Sequence, residues 1–209
     1  MNDQWDSPEF AQYRGAFPEE YRDSKDAFES HVRDLVSRDV KAPYLKALEG
    51  HLWRTGYETG ELKAPLFPDV APFFRDSIAE GKKIMIYSSG SVPAQKLLFG
   101  HTNSQPSDMR PLISDWFDTV NAGPKTDVSS YQTILSQHAD VDPARWLFFS
   151  DNLSEVGAAL CSGMRSLPVT RPGNPPLPPD HHLSGHAIPD FTSQSAEHGR
   201  AAISKLDAQ

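Results

Sequence analysis

The stretch Lys83-Ile84-Met85-Ile86-Tyr87 decides the fold, because it is a short apolar run that leads directly into Ser88-Ser89-Gly90-Ser91. A run of this length, bounded by turn residues, is typical of a strand buried on both faces of a parallel sheet. A helical period precedes it and stops at Gly81, and a second helical segment follows near 93–99. The sequence therefore predicts a helix, a strand and a helix in succession.

The same alternation continues toward the C-terminus. Apolar runs that we predict as short strands lie at 117–120, 146–149 and 167–169, and predicted helices lie at 128–135 and 154–163. Helices of this length between apolar runs are typical of right-handed crossovers in a parallel sheet. We therefore predict an α/β fold with a doubly wound parallel sheet. Its ligand site is expected beyond the carboxyl ends of the strands.

Before residue 67 the sequence has helical periods only. One apolar stripe runs from Phe28 to Val36, with Ser24 as a suitable N-cap. A second runs from Leu45 to Trp53, after Pro43, and is predicted to stop at Gly56. We interpret both segments as amphipathic helices whose apolar stripes serve packing.

Length and composition exclude several classes of protein. The 209 residues suffice for one domain with a small addition. The net charge of −8 gives no positive field for nucleic acid. No apolar stretch approaches the roughly 18 residues of a membrane span, and the polar start lacks a signal-peptide layout. The single cysteine, Cys161, cannot form an internal disulfide, which fits the reducing cytosol or nucleus.

The first candidate site residues are Ser88 and Ser89, at the end of the strand that contains Ile86. Hydroxyls and free backbone N–H groups at a strand-to-helix junction can hold an anion, because the helix terminus supplies partial positive charge. The alternative interpretation is an ordinary serine-rich turn with a helix cap.

The second candidate is Lys125, in Gly123-Pro124-Lys125-Thr126-Asp127. A cation directly before a helix is unfavourable for the helix dipole unless an anion shares the position. The alternative is a solvated surface lysine.

The third candidate is Asp151, which follows the apolar run 147–149, with Glu155 one turn later. A carboxylate at the end of a buried strand is hard to keep charged without a partner, and a divalent cation is a suitable one. The alternative is an aspartate that only caps the next helix. Hydroxyls, a lysine and a carboxylate at successive strand ends are the groups that hold a phosphoryl group beside magnesium.

Two weaker possibilities involve histidine. His181, His182 and His186 lie in a proline-rich segment without a cysteine partner, so we interpret them as loop residues and not as a metal site. Ser88, Asp151 and either of the first two histidines occur in the chain order of a serine hydrolase. Ile86 stands where the nucleophile turn of that fold requires glycine, so this reading is disfavoured.

With these residues placed, the sequence resembles the haloacid dehalogenase superfamily and, within it, the enolase-phosphatase (acireductone synthase) family of methionine salvage. The resemblance runs from about residue 50 to 194. It rests on the following segments: Gly50-His51-Leu52-Trp53-Arg54, Glu61-Leu62-Lys63-Ala64, Phe67-Pro68-Asp69-Val70, Ile86-Tyr87-Ser88-Ser89-Gly90-Ser91-Val92, Ala94-Gln95-Lys96-Leu97-Leu98-Phe99-Gly100-His101, Phe117-Asp118-Thr119, Gly123-Pro124-Lys125 and Arg171-Pro172-Gly173-Asn174.

The resemblance implies a role for each candidate. Ser88 and Ser89 would bind the substrate phosphate, Lys125 would bind and neutralise it, and Asp151 would be a Mg²⁺ ligand. Glu155 is our own addition, as a residue that supports the metal site. Members of the family enolise 2,3-diketo-5-methylthiopentyl 1-phosphate and then remove the phosphate to give acireductone.

The resemblance also implies an organisation and partners. We expect a partial helical cap and linker at 1–66, a haloacid dehalogenase-like core at 67–193 and a C-terminal tail at 194–209 that forms an exposed or frayed helix. We expect a monomer that binds a small phosphorylated substrate, in the cytoplasm and also the nucleus, with no nucleic-acid or membrane partner.

The sequence departs from the family pattern in one respect. Family members begin with a strand that ends in Asp-Ile-Glu-Gly-Thr, whose first aspartate is the nucleophile. The 209 residues contain no Asp-x-[Asp/Glu]-Gly-[Thr/Val]. We expect that this chain starts inside the helical cap, that the first core strand is missing, that the edges of its neighbours are unpaired, and that the chain alone is inactive. The alternative is a phosphate-binding pseudoenzyme that keeps Ser88, Ser89 and Lys125.

Overall fold

The first of two compact units ends at Lys63, and the second begins at Ala64. A computed structural model describes residues 5–207. In the first unit, three helices pack around phenylalanine, valine and leucine side chains that include Phe10, Phe17 and Phe28. These helices are α1 (Pro8–Arg14), α2 (Lys25–Ser37) and α3 (Pro43–Glu58).

The predicted N-cap of α2 and the predicted start of α3 are confirmed, but the predicted end of α3 is wrong. Ser24 caps α2 by accepting the N–H of Ala27, and α3 begins at Pro43. α3 passes through Gly56 and ends at Glu58. Gly56 serves a close approach instead, because a Cβ there would come within 2.6 Å of Leu62.

The second unit alternates helices and strands. Its helices are α4 (Val70–Ala79), α5 (Val92–Gly100), α6 (Val128–Ser136), α7 (Leu153–Cys161) and α8 (Ser193–Leu206). Its strands are β1 (Met85–Tyr87), β2 (Asp115–Phe117), β3 (Leu147–Ser150) and β4 (Arg165–Pro168). The predicted α/β class is confirmed.

The strands form parallel pairs. β1 pairs with β2 in the register Ile86 to Trp116, and β3 pairs with β4 in the register Phe149 to Leu167. Within residues 5–207 these are two separate two-stranded sheets. Within this range β1 and β3 therefore each have one unpaired edge, as expected.

The predicted position of β2, at 117–120, is too far along the chain, because the strand spans Asp115–Phe117. The strand ends at Phe117 because the Asp118 carboxylate accepts the N–H groups of Val120 and Asn121, which closes a turn. Val120, predicted as a strand residue, is 90% exposed.

Helices cover both faces of the strands. On one face, Tyr131 of α6 and Ala159 of α7 are fully buried beside Phe117. On the other face, Phe74 of α4 packs in a second cluster with Met109. These two clusters form the core of the second unit.

The C-terminal segment is a packed helix and not an exposed or frayed tail. α8 contacts β4. Its small residues Gly199 and Ala202 are buried, and a Cβ at Gly199 would lie 3.2 Å from Leu167. The small side chains allow this close packing.

Candidate active site

The segment after β1 is a turn that already uses much of its own hydrogen-bonding capacity. The Ser88 Oγ accepts the N–H of Gly90 at 3.1 Å. Ser91 caps α5, and the Asp118 carboxylate accepts the N–H of Val92 at 2.8 Å. The alternative interpretation, a turn with a cap, therefore describes much of this segment. Ser89 is exposed.

The loop that carries Lys125 is fixed from the core side. The Tyr87 hydroxyl donates to the carbonyl of Gly123 at 2.6 Å, and the Tyr131 hydroxyl donates to the carbonyl of Lys125 at 2.6 Å. Gly123 has φ +113°, and a Cβ there would come within 2.5 Å of the Ser130 Oγ. Only glycine fits this position without strain.

Both tyrosines remain neutral donors at neutral pH. Burial raises the pKa of Tyr87, and the negative charge of Glu155 raises it further. Burial and Glu155 also raise the pKa of Tyr131. Their phenolic protons therefore stay available for the two loop carbonyls.

Lys125 has a carboxylate partner, so it is not a freely solvated surface lysine. Its Nζ lies 2.7 Å from Glu155 Oε2, and both side chains are largely buried. The Ser150 Oγ donates to the same carboxylate at 2.6 Å. Glu155 thus joins the Lys125 loop to the end of β3. The role of Glu155 in supporting the metal site stays a prediction.

Asp151 does not cap α7. Asn152 is the N-cap, because its side chain accepts the N–H of Ser154. The Asp151 side chain accepts a hydrogen bond from the amide of Asn174. Asp151 is exposed and therefore available to a ligand.

Lys125 and Asp151 line the same open cleft of about 350 Å³. Its other lining residues are Ser150, Arg171 and Asn174 together with the apolar side chains of Phe67, Phe149, Val169 and Phe191. The structure therefore brings together two of the predicted site positions. Ser88 and Ser89 are not among the lining residues of this cleft.

The residue types fit a hard divalent cation. Mg²⁺ is commonly held by one or two carboxylates together with water and substrate phosphate oxygens. Asp151 offers one such carboxylate at the cleft. In residues 5–207 no group of three or more His, Cys, Asp or Glu side chains is arranged to hold a metal by itself.

Sequence reasoning assigned no role to Arg171, Asp69 or Asn174. The Arg171 guanidinium lies 2.6 Å from the Asp69 carboxylate, between the rings of Phe67 and Phe191 at 4.8 and 4.7 Å. Asp69 also accepts the N–H of Phe191 at 2.7 Å. All three residues lie in segments noted only for their resemblance, Phe67-Pro68-Asp69-Val70 and Arg171-Pro172-Gly173-Asn174. Their contact was not predicted, because Asp69 and Arg171 are 102 positions apart.

The pKa of Asp69 lies below its usual range. Burial opposes ionisation, but the hydrogen bonds from Arg171 and from the Phe191 N–H outweigh it. Asp69 is therefore ionised at neutral pH and holds the Arg171 side chain at the cleft wall.

The histidines do not join the site. His181 and His182 stack on each other, and His181 Nδ1 accepts the N–H of Leu183. In the described part of the chain, no hydrogen bond links Ser88 to either residue, so the serine hydrolase interpretation finds no support.

Comparison with known proteins decides the family. No protein-family model matches the chain. The enolase-phosphatase E1 of Fusarium vanettenii is 64% identical over 192 residues, which are 91% of this chain and 81% of that protein. The enolase-phosphatase E1 of Pyricularia oryzae is 64% identical over 178 residues, covering 85% and 77%.

The chain belongs to the enolase-phosphatase family. The resemblance inferred from the sequence is thereby confirmed, as is the phosphatase class of hydrolase.

Solved structures agree with this assignment. The crystal structure of the UTR4 protein of Saccharomyces cerevisiae is 35% identical and has a TM-score of 0.72, covering 90% of this chain and 81% of that one. An L-2-haloacid dehalogenase, 19% identical with a TM-score of 0.54, covers 99% of this chain and 82% of its own and shows the shared fold. Across residues 5–207, no helix combines the length and the apolar character that crossing a membrane requires.

Proposed function

We propose that the chain binds 2,3-diketo-5-methylthiopentyl 1-phosphate, the compound whose enolisation and dephosphorylation in methionine salvage from methylthioadenosine the family resemblance implies, with Mg²⁺ as cofactor. The observation that carries this proposal is the cleft that Lys125 and Asp151 share. It combines two cations, Lys125 and Arg171, with one exposed carboxylate and an apolar wall. These are the groups needed for a small phosphorylated carbon chain and a metal ion.

Lys125 binds the phosphate. Without substrate, its ammonium is neutralised by Glu155 at 2.7 Å. A phosphate dianion competes for the same ammonium and adds charge-assisted hydrogen bonds. Tyr131 and Tyr87 hold the loop backbone, so the ammonium stays directed at the cleft.

Asp151 holds Mg²⁺, and Asn174 orients its carboxylate through a hydrogen bond. When bound, Mg²⁺ neutralises charge on the phosphoryl group during transfer. Ser88 and Ser89 contribute hydroxyls from the end of β1. Their part in phosphate binding rests on the family resemblance.

The attacking carboxylate of this chemistry is expected in a motif that the 209 residues lack. We therefore expect the chain alone to bind phosphate and Mg²⁺ without hydrolysing the substrate. Measurable Mg²⁺-dependent turnover that Asp151→Ala abolishes would contradict this and would show that the nucleophile lies within the 209 residues.

The remaining proposals concern the oligomeric state, the cellular compartment and the partners. We propose a monomer in the cytoplasm, and also in the nucleus, with no nucleic-acid partner. The single cysteine supports the reducing compartment, and the net charge of −8 supports the absence of a nucleic-acid partner.

Calorimetric titration of inorganic phosphate, with and without MgCl₂, tests the site. We expect Mg²⁺ to tighten phosphate binding, Lys125→Met to weaken it about tenfold or more, and Asp151→Asn to remove the Mg²⁺ effect. Lys83→Met and Asp140→Asn are matched controls outside the cleft lining. Phosphate affinity that is equal in the wild type and in Lys125→Met would overturn the assignment.

A further inference from the structure

Gln95 is a buried glutamine next to the turn that carries Ser88 and Ser89. It lies near the start of α5, and only 5% of its surface is exposed. Glutamine is mostly an exposed residue, and a buried side-chain amide needs hydrogen-bond partners. The partners of this amide are two backbone carbonyl groups that lie outside α5. The Gln95 side chain therefore connects α5 to the turn before it.

The side-chain amide of Gln95 holds two points of the structure at once. Its Nε2 donates to the carbonyl of Gly90 at 2.7 Å and to the carbonyl of Phe117 at 2.9 Å. The Phe117 carbonyl also accepts the N–H of Ser88 at 3.0 Å. One amide group thus ties the turn between Ser88 and Gly90 to the last residue of β2.

Packing alone does not explain a glutamine at this position. A flipped amide would turn its oxygen toward two carbonyl oxygens, so the hydrogen bonds fix its orientation. In this orientation the Gln95 Oε1 is buried and has no hydrogen-bond partner within residues 5–207. An unpaired buried acceptor costs free energy that an apolar side chain of similar size would not cost. The two N–H donors therefore account for the glutamine.

The start of α5 is already saturated with hydrogen bonds. The N–H of Val92 donates to the Asp118 carboxylate at 2.8 Å, and the N–H of Ala94 donates to the Ser91 Oγ at 3.4 Å. The next N–H along the helix donates to the Ser91 carbonyl, and Pro93 has no N–H. In the described chain, a phosphate at this end of β1 must therefore be bound by the turn and not by the first N–H groups of the helix.

The turn offers two serine hydroxyls to such a phosphate. Ser89 is exposed, so its hydroxyl is open to a ligand. The Ser88 Oγ accepts the N–H of Gly90 and keeps its own proton to donate. Hydrogen bonds depend steeply on distance and angle, so both hydroxyls bind one phosphate well only if the backbone of the turn is held in place.

The turn is also adjacent to the loop that carries the lysine of the site. Tyr87 directly precedes the turn and donates to the carbonyl of Gly123 at 2.6 Å. Gly123 lies two residues before Lys125. The turn therefore begins beside the lysine loop, where one phosphate can contact both segments.

We infer that Gln95 is a positioning residue for phosphate binding, an inference that rests on the proposed function. Gln95 acts through Ser88 and Ser89, because its amide fixes the backbone that directs both hydroxyls, and it does not contact the phosphate itself. Without its two donors, the carbonyl of Gly90 is no longer tied to β2. The turn then relaxes, and the two hydroxyls lose their common direction.

The first experiment titrates the full 209-residue chain with inorganic phosphate in the presence of MgCl₂, by calorimetry. Gln95→Met keeps the approximate size of the side chain and removes both donors. Gln132→Met is the matched control, because Gln132 is an exposed glutamine of α6. We expect Gln95→Met to weaken phosphate binding about tenfold and the control to change it less than about twofold. Equal affinities of the two variants would overturn the inference.

A second measurement separates positioning from a general loss of structure. In a chain with Ser88→Ala and Ser89→Ala, Gln95→Met should weaken phosphate binding less than about twofold further, because the hydroxyls that it positions are gone. In a chain with Lys125→Met, the same change should again weaken binding about tenfold, because other contacts hold the lysine. An equal loss in both backgrounds would indicate structural damage alone and would overturn the inference.

A nuclear magnetic resonance titration of the wild-type chain decides the case in which Gln95→Met fails to fold by circular dichroism. Saturation with inorganic phosphate should shift the side-chain amide resonances of Gln95, because the carbonyl groups that it binds belong to the segment in contact with phosphate. The side-chain amide resonances of Gln132 should stay in place. Unmoved resonances of Gln95 would overturn the inference.

The titrations of Lys125→Met test the proposed function separately. Phosphate binding that Lys125→Met weakens and Gln95→Met leaves unchanged would overturn only the positioning role. A wild-type chain that binds no phosphate would overturn the proposed function and the positioning role together.

Discussion

At the scale of single residues, the site depends on charges that are each matched within a few ångströms. Lys125 is paired with Glu155, and Arg171 is paired with Asp69 at 2.6 Å between two aromatic rings. Removing one partner of a largely buried pair leaves an uncompensated charge, which costs more than the loss of an exposed pair. The Asp69–Arg171 pair is the clearest case, because both side chains are nearly covered.

Asp69→Asn should destabilise the chain by about 2 to 4 kcal/mol at pH 7. Asp108→Asn, in an exposed pair with Arg110, should cost less than about 1 kcal/mol. Urea unfolding of both variants measures the difference. Equal losses of unfolding free energy in the two variants would contradict a larger contribution from the buried pair.

The lowered pKa of Asp69 also predicts how the stability difference between the wild type and Asp69→Asn depends on pH. The pKa of Asp69 is lowered in the folded state. Ionised Asp69 therefore makes its full contribution to the free energy of unfolding above the unfolded pKa of about 3.9, and this contribution is lost as the pH falls through the lower folded pKa. The difference in unfolding free energy between wild type and Asp69→Asn should therefore be largest near neutral pH and shrink below about pH 4. A difference that grows on acidification would contradict this sign.

At the scale of elements, the loop after β2 shows how backbone geometry places a functional side chain. Gly123 has a positive φ and no room for a Cβ beside Ser130, whereas Gly173 has a positive φ with open space around it. Steric contact therefore adds to backbone strain only at the first glycine.

Gly123→Ala should destabilise the chain by about 2 to 4 kcal/mol and weaken phosphate binding, because the shifted loop carries Lys125. Gly173→Ala, as the control, should cost about 1 kcal/mol. Thermal unfolding and phosphate titration of the two variants provide the measurements. Unchanged phosphate affinity in Gly123→Ala would show that the loop does not position Lys125.

Most of the helices and strands could be predicted from the sequence, and the incorrect predictions have physical causes. Apolar runs correctly indicated β1, β3 and β4, because buried strands need them. The end of β2 was missed because it depends on the Asp118 turn. The contact between Glu155 and Lys125 was not predicted, because the two residues lie 30 positions apart and only the fold brings them together.

At the scale of the whole molecule, the parallel strands form two half-sheets whose carboxyl ends reach one loop. Because the two sheets are separate within residues 5–207, the amides at their unpaired edges form no hydrogen bond to another strand and should exchange readily. Neighbouring amides that point toward β2 or β4 should be protected.

Amide exchange should therefore alternate along β3, because Ser150 accepts the N–H of Val169 on the β4 side and alternate residues of a strand direct their backbone groups to opposite edges. We expect Leu147 and Phe149 to exchange about tenfold or more faster than Phe148 and Ser150. Similar protection at all four positions would contradict the split sheet.

The most direct test of the central claim is a crystal structure of the chain with phosphate and Mg²⁺. We predict phosphate in hydrogen-bond contact with Lys125 and the metal on Asp151, within the one cleft that both residues line. Phosphate bound away from Lys125, or a metal that does not touch Asp151, would contradict the account.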